Sequence, residues 1–225
     1  MNDHHDPNKY NLNHMKERLR QKPEVADFLD EITANPEILG LLFEIIRTDK
    51  GAVKFYCEKV IRMLSEKQPS LAYPYFDDVA NLIDSQNSFV KWGAITTLSN
   101  LIDVDSDRKF EAVCQKYLDL INSDSMITAA SAVKNVWKFV VKNPDYEGDL
   151  TKRLLGIADN TYLYKGKPSP ECKNIMFGNA IDCFDKYFEI SCSKKDIIEF
   201  VAKQRHNTRK QVAKKAEAFL KKHLQ

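Results

Sequence analysis

One apolar pattern recurs five times along this 225-residue chain and constrains its fold more than any other feature. Each copy places four residues at i, i+4, i+8 and i+11, a spacing that puts them on one face of an α-helix. Most copies have a small residue at the second position, which lets a neighbouring helix approach closely. The copies are Val53, Cys57, Ile61, Leu64; Val90, Ala94, Leu98, Leu101; Thr128, Ala132, Val136, Phe139; Met176, Ala180, Phe184, Tyr187; and Thr208, Val212, Ala216, Phe219.

Each copy follows another amphipathic segment across a short polar turn. The repeating unit is therefore a helical hairpin, and its second helix carries the template. A single hairpin cannot bury its apolar face, but stacked hairpins can. The sequence therefore predicts an all-α fold, a right-handed α-solenoid of about five hairpins. Helices are expected near 9–21, 24–33, 36–47, 51–66, 70–84, 88–103, 108–121, 125–142, 149–159, 171–190, 194–204 and 208–223.

The two ends of the chain differ from its middle. Residues 1–8 are polar and are expected to form a flexible N-terminus, and the helices over 9–33 are expected to cap the open end of the stack. The remaining pattern predicts a single domain over 9–225. With only 7 Gly and 8 Pro, the chain has too few turn residues for an all-β fold.

The segment 82–98 resembles a HEAT repeat. The resemblance extends in weaker form over about 36–225, where Val53-Lys54 repeats the pair of a valine and a basic residue and Thr208-Arg209 echoes it. In this family the second helices usually line a concave binding face, so the resemblance implies a scaffold with an extended groove. The residues that carry it at the family's spacing are Asp84, Val90, Lys91, Ala94 and Leu98.

Two kinds of binding residue emerge from this comparison. The second helices carry basic residues that would line such a groove, and an insertion over 160–170 interrupts the fourth repeat with exposed-looking aromatic and basic residues. Insertions in solenoids often carry contacts. Ordinary solvated helix surface and a tolerated loop are the alternative explanations. The candidate residues are Lys54, Lys91, Lys134, Lys138, Arg209, Lys210, Lys214, Tyr162 and Tyr164.

Charge is divided unevenly along the chain. Residues 194–225 hold ten Lys/Arg and three Asp/Glu, a balance of +7, so the rest carries −5 against a total of +2. Such a basic end can attract an acidic protein segment or nucleic acid. On the terminal helix, Arg209, Lys210, Lys214 and Lys221 are expected to project away from the core. We expect an acidic protein segment as the partner, with nucleic acid as the alternative.

No catalytic motif is present, so the sequence predicts a non-enzymatic interaction module with no cofactor and no metal. Asp103, Asp105 and Asp107 alternate as in a calcium loop, but the glycine and closing glutamate are missing, which indicates a turn between repeats. The five cysteines form no Cys-x-x-Cys motif and are interpreted as structural thiols.

The runner-up function is nucleic-acid binding. Some alkylpurine DNA glycosylases are HEAT-like arrays, and that resemblance would imply a Trp, Asp and Arg constellation. Thr96 and Val141 stand one turn after Trp92 and Trp137, so no acidic partner is found there. Both tryptophans are expected to pack in the core or at its edge. No signal sequence or membrane span is apparent, and a monomeric cytoplasmic protein is expected.

Overall fold

The computed structural model describes residues 11–224, and the predicted flexible segment 1–8 lies outside that range. Fourteen α-helices dominate the described part, most of them within a few residues of the predicted bounds. They are α1 (Leu12–Arg20), α2 (Val25–Ala34), α3 (Ile38–Thr48), α4 (Val53–Lys67), α5 (Pro69–Ala72), α6 (Phe76–Leu82), α7 (Ser88–Leu101), α8 (Lys109–Asp119), α9 (Met126–Val133), α10 (Trp137–Lys142), α11 (Glu147–Gly156), α12 (Pro170–Tyr187), α13 (Lys194–Lys203) and α14 (Lys210–His223).

The chain divides into two compact units, Met1–Lys109 and Phe110–Gln225, with the boundary at the start of α8. In the first unit, α4 packs against both α3 and α7, while α6 packs against α7. The predicted cap helix α1 contacts α3 and α4, and α2 contacts α4. In the second unit, α12 packs against α9, α10, α11 and α14, and α13 packs against α14. The prediction of one domain over 9–225 stays a prediction.

The apolar template identifies the core. Nineteen of its twenty residues are buried, with Thr208 as the exception because it precedes α14 and faces solvent. Leu98, Val136 and Phe184 have no exposed surface. Periodicity alone therefore located the buried face on the second helix of each hairpin.

One predicted helix, 70–84, is in fact two. The helix α5 ends at Ala72, a 3₁₀ turn covers Tyr73–Tyr75, and α6 begins at Phe76. Pro74 lies in this turn, and its missing N–H and fixed φ disfavour a continuous α-helix. The second repeat therefore contains three helices, α5, α6 and α7.

The predicted helix 125–142 is also interrupted, between α9 and α10. The amides of Lys138 and Phe139 bond to carbonyls three residues back instead of four. Bonding of this three-residue type is that of a 3₁₀ turn, which interrupts the α-helix here.

The insertion before α12 forms a short antiparallel hairpin, β1 (Leu163–Tyr164) and β2 (Lys167–Pro168). Lys165 and Gly166 connect the strands with positive φ angles of 51° and 73°. Two consecutive residues in the left-handed region fit a two-residue type I′ turn, and the glycine accepts this conformation without strain. The sequence pattern did not predict these strands.

Candidate functional site

The basic side chains of α14 point in two directions, some toward α12 and others toward solvent. On the side that faces α12, the ammonium of Lys215 pairs with Asp182, and that of Lys222 lies 2.9 Å from an Asp185 oxygen. At the start of the helix, the Arg209 guanidinium pairs with Glu171. These contacts fasten α14 along the length of α12.

His223 completes this fastening at the end of α14. Its Nε2 lies 2.8 Å from an Asp185 oxygen and its Nδ1 lies 3.1 Å from a Glu189 oxygen. The ring packs between Phe188 and Phe219, with centroid distances of 4.4 and 4.5 Å. Both ring nitrogens can donate to carboxylates only when the imidazole is protonated.

On the opposite side of α14, Lys210, Lys214 and Lys221 are exposed. None of the three has an ion-pair partner among residues 11–224. We call these three residues the outer lysine face. Arg209 was expected to project with them, but that expectation is wrong because its guanidinium is held by Glu171. On α14 and at its N-terminal flank, three outward ammonium groups therefore lie beside four inward cationic or protonatable side chains.

The other basic candidates lie elsewhere. Lys54 and Lys91 are half-buried in the first unit, and the ammonium of Lys54 lies 5.4 Å from the Phe55 ring centroid. Lys134 and Lys138 belong to the second unit, where Lys134 is exposed and Lys138 is half-buried. A binding role for these four residues remains a prediction.

The two tyrosines of the insertion have opposite environments. Tyr164 is 61% exposed and stacks under the Lys165 ammonium, whereas Tyr162 is 1% exposed. The expectation that Tyr162 is a surface residue is therefore wrong. Its hydroxyl accepts a 3.3 Å hydrogen bond from Asn160, and burial raises its pKa. An open cleft of about 620 Å³ lies between the hairpin and the start of α12, lined in part by Tyr164, Lys167 and Glu171.

An aromatic cluster in the first unit was missed by sequence reasoning. The Phe89 ring lies edge-on to Phe55 at 5.8 Å and to Trp92 at 5.4 Å. Phe89 is 65% exposed, while Phe55 and Trp92 are half-buried. The sequence did contain one signal for this cluster. A phenylalanine follows the polar turn and directly precedes Val90, the first template residue of its copy. We call these three residues the aromatic cluster.

Three of the buried cysteines lie in environments that disfavour the thiolate. Burial raises the pKa of Cys57 and of Cys114 to about 12, which keeps both protonated at neutral pH. Burial also raises the pKa of Cys183. No group of three or more His, Cys, Asp or Glu within residues 11–224 is placed to hold a metal ion.

The Asp103–Asp107 segment forms a turn held by hydrogen bonds. An Asp105 oxygen accepts from the Tyr73 hydroxyl at 2.7 Å and from the Lys109 amide at 2.8 Å. Asp105 therefore ties the start of α8 to the turn before α6. These bonds support the interpretation of the segment as a connection between repeats.

Searches against known proteins match this chain by structure alone. No family model matches, and no curated protein matches. In the solved structures, the designed armadillo repeat protein YIII(Dq)4CqI superposes with a TM-score of 0.64 at 14% identity over 95% of both chains. The designed protein YIII(Dq.V1)4CPAF, in complex with peptide (KR)4, gives 0.65 at the same identity and coverage.

A third structure, of computationally designed armadillo repeat proteins for modular peptide recognition, also gives a TM-score of 0.65 at 14% identity and 95% coverage of both chains. At an identity this low, the structural similarity establishes the fold and leaves the partner open. Among the described residues, no helix is both long enough and apolar enough to cross a membrane. The chain has the all-α fold of an armadillo-like helical repeat solenoid.

Proposed function

We propose that this protein is a non-enzymatic peptide-binding scaffold that captures an acidic segment of a partner protein on the outer lysine face. The observation that carries this proposal is the separation of cations on α14. Lys215 and Lys222 are neutralised by α12, while Lys210, Lys214 and Lys221 are exposed with no ion pair among the described residues. Unpaired ammonium groups on one helix face attract anions over a distance of about 10 Å at moderate salt.

The fold supports this proposal. Helical repeat arrays present long surfaces rather than deep catalytic pockets. One structural neighbour is in complex with a peptide, and another was designed for modular peptide recognition. The peptide (KR)4 bound by one of them is basic, whereas the outer lysine face favours the opposite charge. We further propose that the repeats are HEAT-like, although the second repeat, with three helices, shares an armadillo feature.

The test is fluorescence anisotropy with a labelled 12-residue glutamate-rich peptide, in 50 mM and 500 mM NaCl. We expect binding at low salt, weakened at high salt because screening shortens the range of attraction. The double variant Lys210→Glu/Lys214→Glu should lose at least about fivefold in affinity, since rim charges act through attraction at a distance. Its thermal stability should stay within about 0.5 kcal/mol of the original because exposed charges contribute little to folding.

The matched control is Lys152→Glu/Lys195→Glu, which changes the net charge equally on exposed positions of α11 and α13. This control should keep the affinity within about twofold. Equal loss in both variants would show a response to net charge alone and would overturn the assignment to α14. A labelled 12-nucleotide single strand serves as competitor, and tighter binding of that strand than of the peptide would favour the nucleic-acid alternative.

A further inference from the structure

The aromatic cluster is preorganised at the starts of two consecutive second helices. Phe55 is the third residue of α4, and Phe89 is the second residue of α7. Asn87 fixes the start of α7 because its side-chain oxygen accepts from the amides of Phe89 and Val90 at 3.1 and 3.2 Å. The Phe89 side chain is therefore held by a capped helix rather than by a loose loop.

The repeat places two of the rings at equivalent positions of neighbouring helices. Phe55 and Trp92 each stand two residues after the first template residue of their copy, Val53 and Val90. Equivalent positions of adjacent repeats lie beside each other when second helices pack, as α4 and α7 do. Phe89 then contacts both rings edge-on, at interplanar angles of 67° and 69°. These tilted contacts leave most of the Phe89 ring in solvent.

Isolated exposed apolar side chains are common on soluble proteins, but contiguous exposed aromatic rings often mark contact surfaces. Aromatic residues are also enriched among the residues that dominate binding energy. Their few rotatable bonds mean that little entropy is lost when a partner covers them. Contact with a partner side chain would remove the exposed part of Phe89 from water at small cost.

The charge around the cluster selects the kind of partner. Lys54 and Lys91 follow directly after the first template residues of the same two helices, and neither has an ion-pair partner among the described residues. The nearby carboxylate of Glu58 is already bound by Arg62, whose Nε lies 3.0 Å away. The ammonium of Lys54 lies 5.4 Å from the Phe55 ring centroid, Lys91 directly precedes Trp92 in α7, and the positive ends of both helix dipoles add to this charge.

We infer that the aromatic cluster, with Lys54 and Lys91, docks an acidic peptide that carries an apolar anchor residue. The anchor packs on Phe89 between Phe55 and Trp92, and flanking carboxylates of the peptide face the two lysines. This inference rests on the proposal that the chain binds an acidic partner, and it adds a second site and a sequence requirement. The outer lysine face requires charge alone, whereas this site requires charge together with an apolar side chain.

The probes are two labelled 12-residue peptides with eight glutamates each, identical except for a central Leu-Phe pair in one and Ala-Ala in the other. Wild-type protein should bind the Leu-Phe peptide about tenfold more tightly, the effect of partly burying one aromatic side chain. The ratio should persist in 500 mM NaCl because salt screens charge and leaves apolar contact intact. Phe89→Ala should reduce the ratio to about one.

The matched control is Ile127→Ala. Ile127 is also an exposed apolar residue at the second position of its helix, 46% exposed on α9, and its replacement should leave the ratio unchanged. Lys210→Glu/Lys214→Glu should weaken both peptides while the Leu-Phe peptide stays favoured. An unchanged ratio in Phe89→Ala, or equal binding of both peptides by the wild type, overturns this inference and leaves the outer lysine face standing. If the wild-type protein binds neither peptide, both proposals are overturned.

Discussion

The helices α7 and α14 carry the same apolar template and differ in everything around it. Nine of the fourteen residues of α7 are buried, against three of fourteen in α14. The sequence of α7 has one charged residue, Lys91, while α14 has five lysines and Glu217. The template therefore specifies one buried face, and the neighbours of each helix decide what its other faces must be.

The buried faces of α7 include polar residues that form hydrogen bonds within the helix or with α4. The Ser99 hydroxyl donates to the Thr96 carbonyl at 2.8 Å, and the Asn100 amide donates to the Ser65 hydroxyl at 3.0 Å. On α14 the polar residues instead face solvent or α12. A helix packed on several sides meets its polar needs by hydrogen bonds, whereas a helix buried along one face meets them with charge and water.

The largest expected effect comes from charging the shared template. Leu98→Asp should destabilise the protein by about 4 kcal/mol or more, because it removes a fully buried side chain and buries an unpaired charge. Val212→Asp on α14 should cost less, about 1–3 kcal/mol, since α14 is buried along one face only and can move to expose the carboxylate. Urea denaturation followed by circular dichroism measures both.

Phe89→Asp is the control for Leu98→Asp, since it introduces the same charge on the exposed side of α7 and should cost less than about 1 kcal/mol. Equal costs for Leu98→Asp and Val212→Asp would contradict the distinction between a helix enclosed on several sides and a helix buried along one face.

The next effect concerns a close approach on α7. A Cβ at Gly93 would overlap the Glu58 side chain, whereas one at Gly178 on α12 would lie 3.2 Å from a Val212 methyl. Gly93→Ala should therefore cost about 1–3 kcal/mol through the displaced Glu58, and Gly178→Ala should be nearly neutral. Thermal or urea unfolding distinguishes the two substitutions.

A double-mutant cycle sharpens this comparison. In a Glu58→Ala background, Gly93→Ala should become stabilising by up to about 1 kcal/mol, because the overlap is gone and alanine favours a helix. A cost that persists without the Glu58 carboxylate would mean that backbone packing, rather than this side chain, requires the glycine.

Sequence periodicity predicted the core because burial of one helix face leaves a regular pattern in the chain. It could not predict which cations are paired, since those contacts join residues one repeat apart. Arg47 with Asp78, Lys215 with Asp182 and Arg209 with Glu171 are 31, 33 and 38 residues apart. A pattern read one helix at a time placed Arg209 on the surface, while the neighbouring repeat supplies its partner.

The remaining errors have similar origins. Tyr162 lies in an insertion without periodicity, so nothing in the sequence indicated that its ring turns inward. The interruption before Trp137 falls in the segment 133–137, which contains no glycine or proline that would mark a break in the sequence. Pro74 is different, because its effect on a helix is local and could have been predicted. Local chemistry is visible in the sequence, whereas contacts between repeats need the register of the stack.

The smallest expected effect is a difference in pH dependence between the contributions that the α7 and α14 regions make to stability. Burial raises the pKa of Glu58 beneath α7, although Arg62 opposes the shift. At Asp185 beside α14, burial also acts to raise the pKa, but hydrogen bonds from Lys222 and His223 outweigh it and lower the pKa below its ordinary value. Glu58 therefore contributes stability below its ordinary pKa of 4.5 that is lost as pH rises through the elevated value. Asp185 contributes stability above its ordinary pKa of 3.8 that is lost as pH falls.

Glu58→Gln and Asp185→Asn should consequently show opposite trends when unfolding free energies are measured by urea titration between pH 3 and 7. The stability of Glu58→Gln relative to the wild type should rise as pH increases above 4.5, because the wild type alone loses a contribution there. The stability of Asp185→Asn relative to the wild type should rise as pH falls below 3.8, where the wild type loses the ion pairs with Lys222 and His223. Lys152→Gln, an exposed position without an ion pair among the described residues, should follow the wild type throughout. Parallel trends for the two carboxylate variants would show that both side chains respond to the general acid titration of the protein, and the contrast between a desolvated carboxylate and a paired one would not hold.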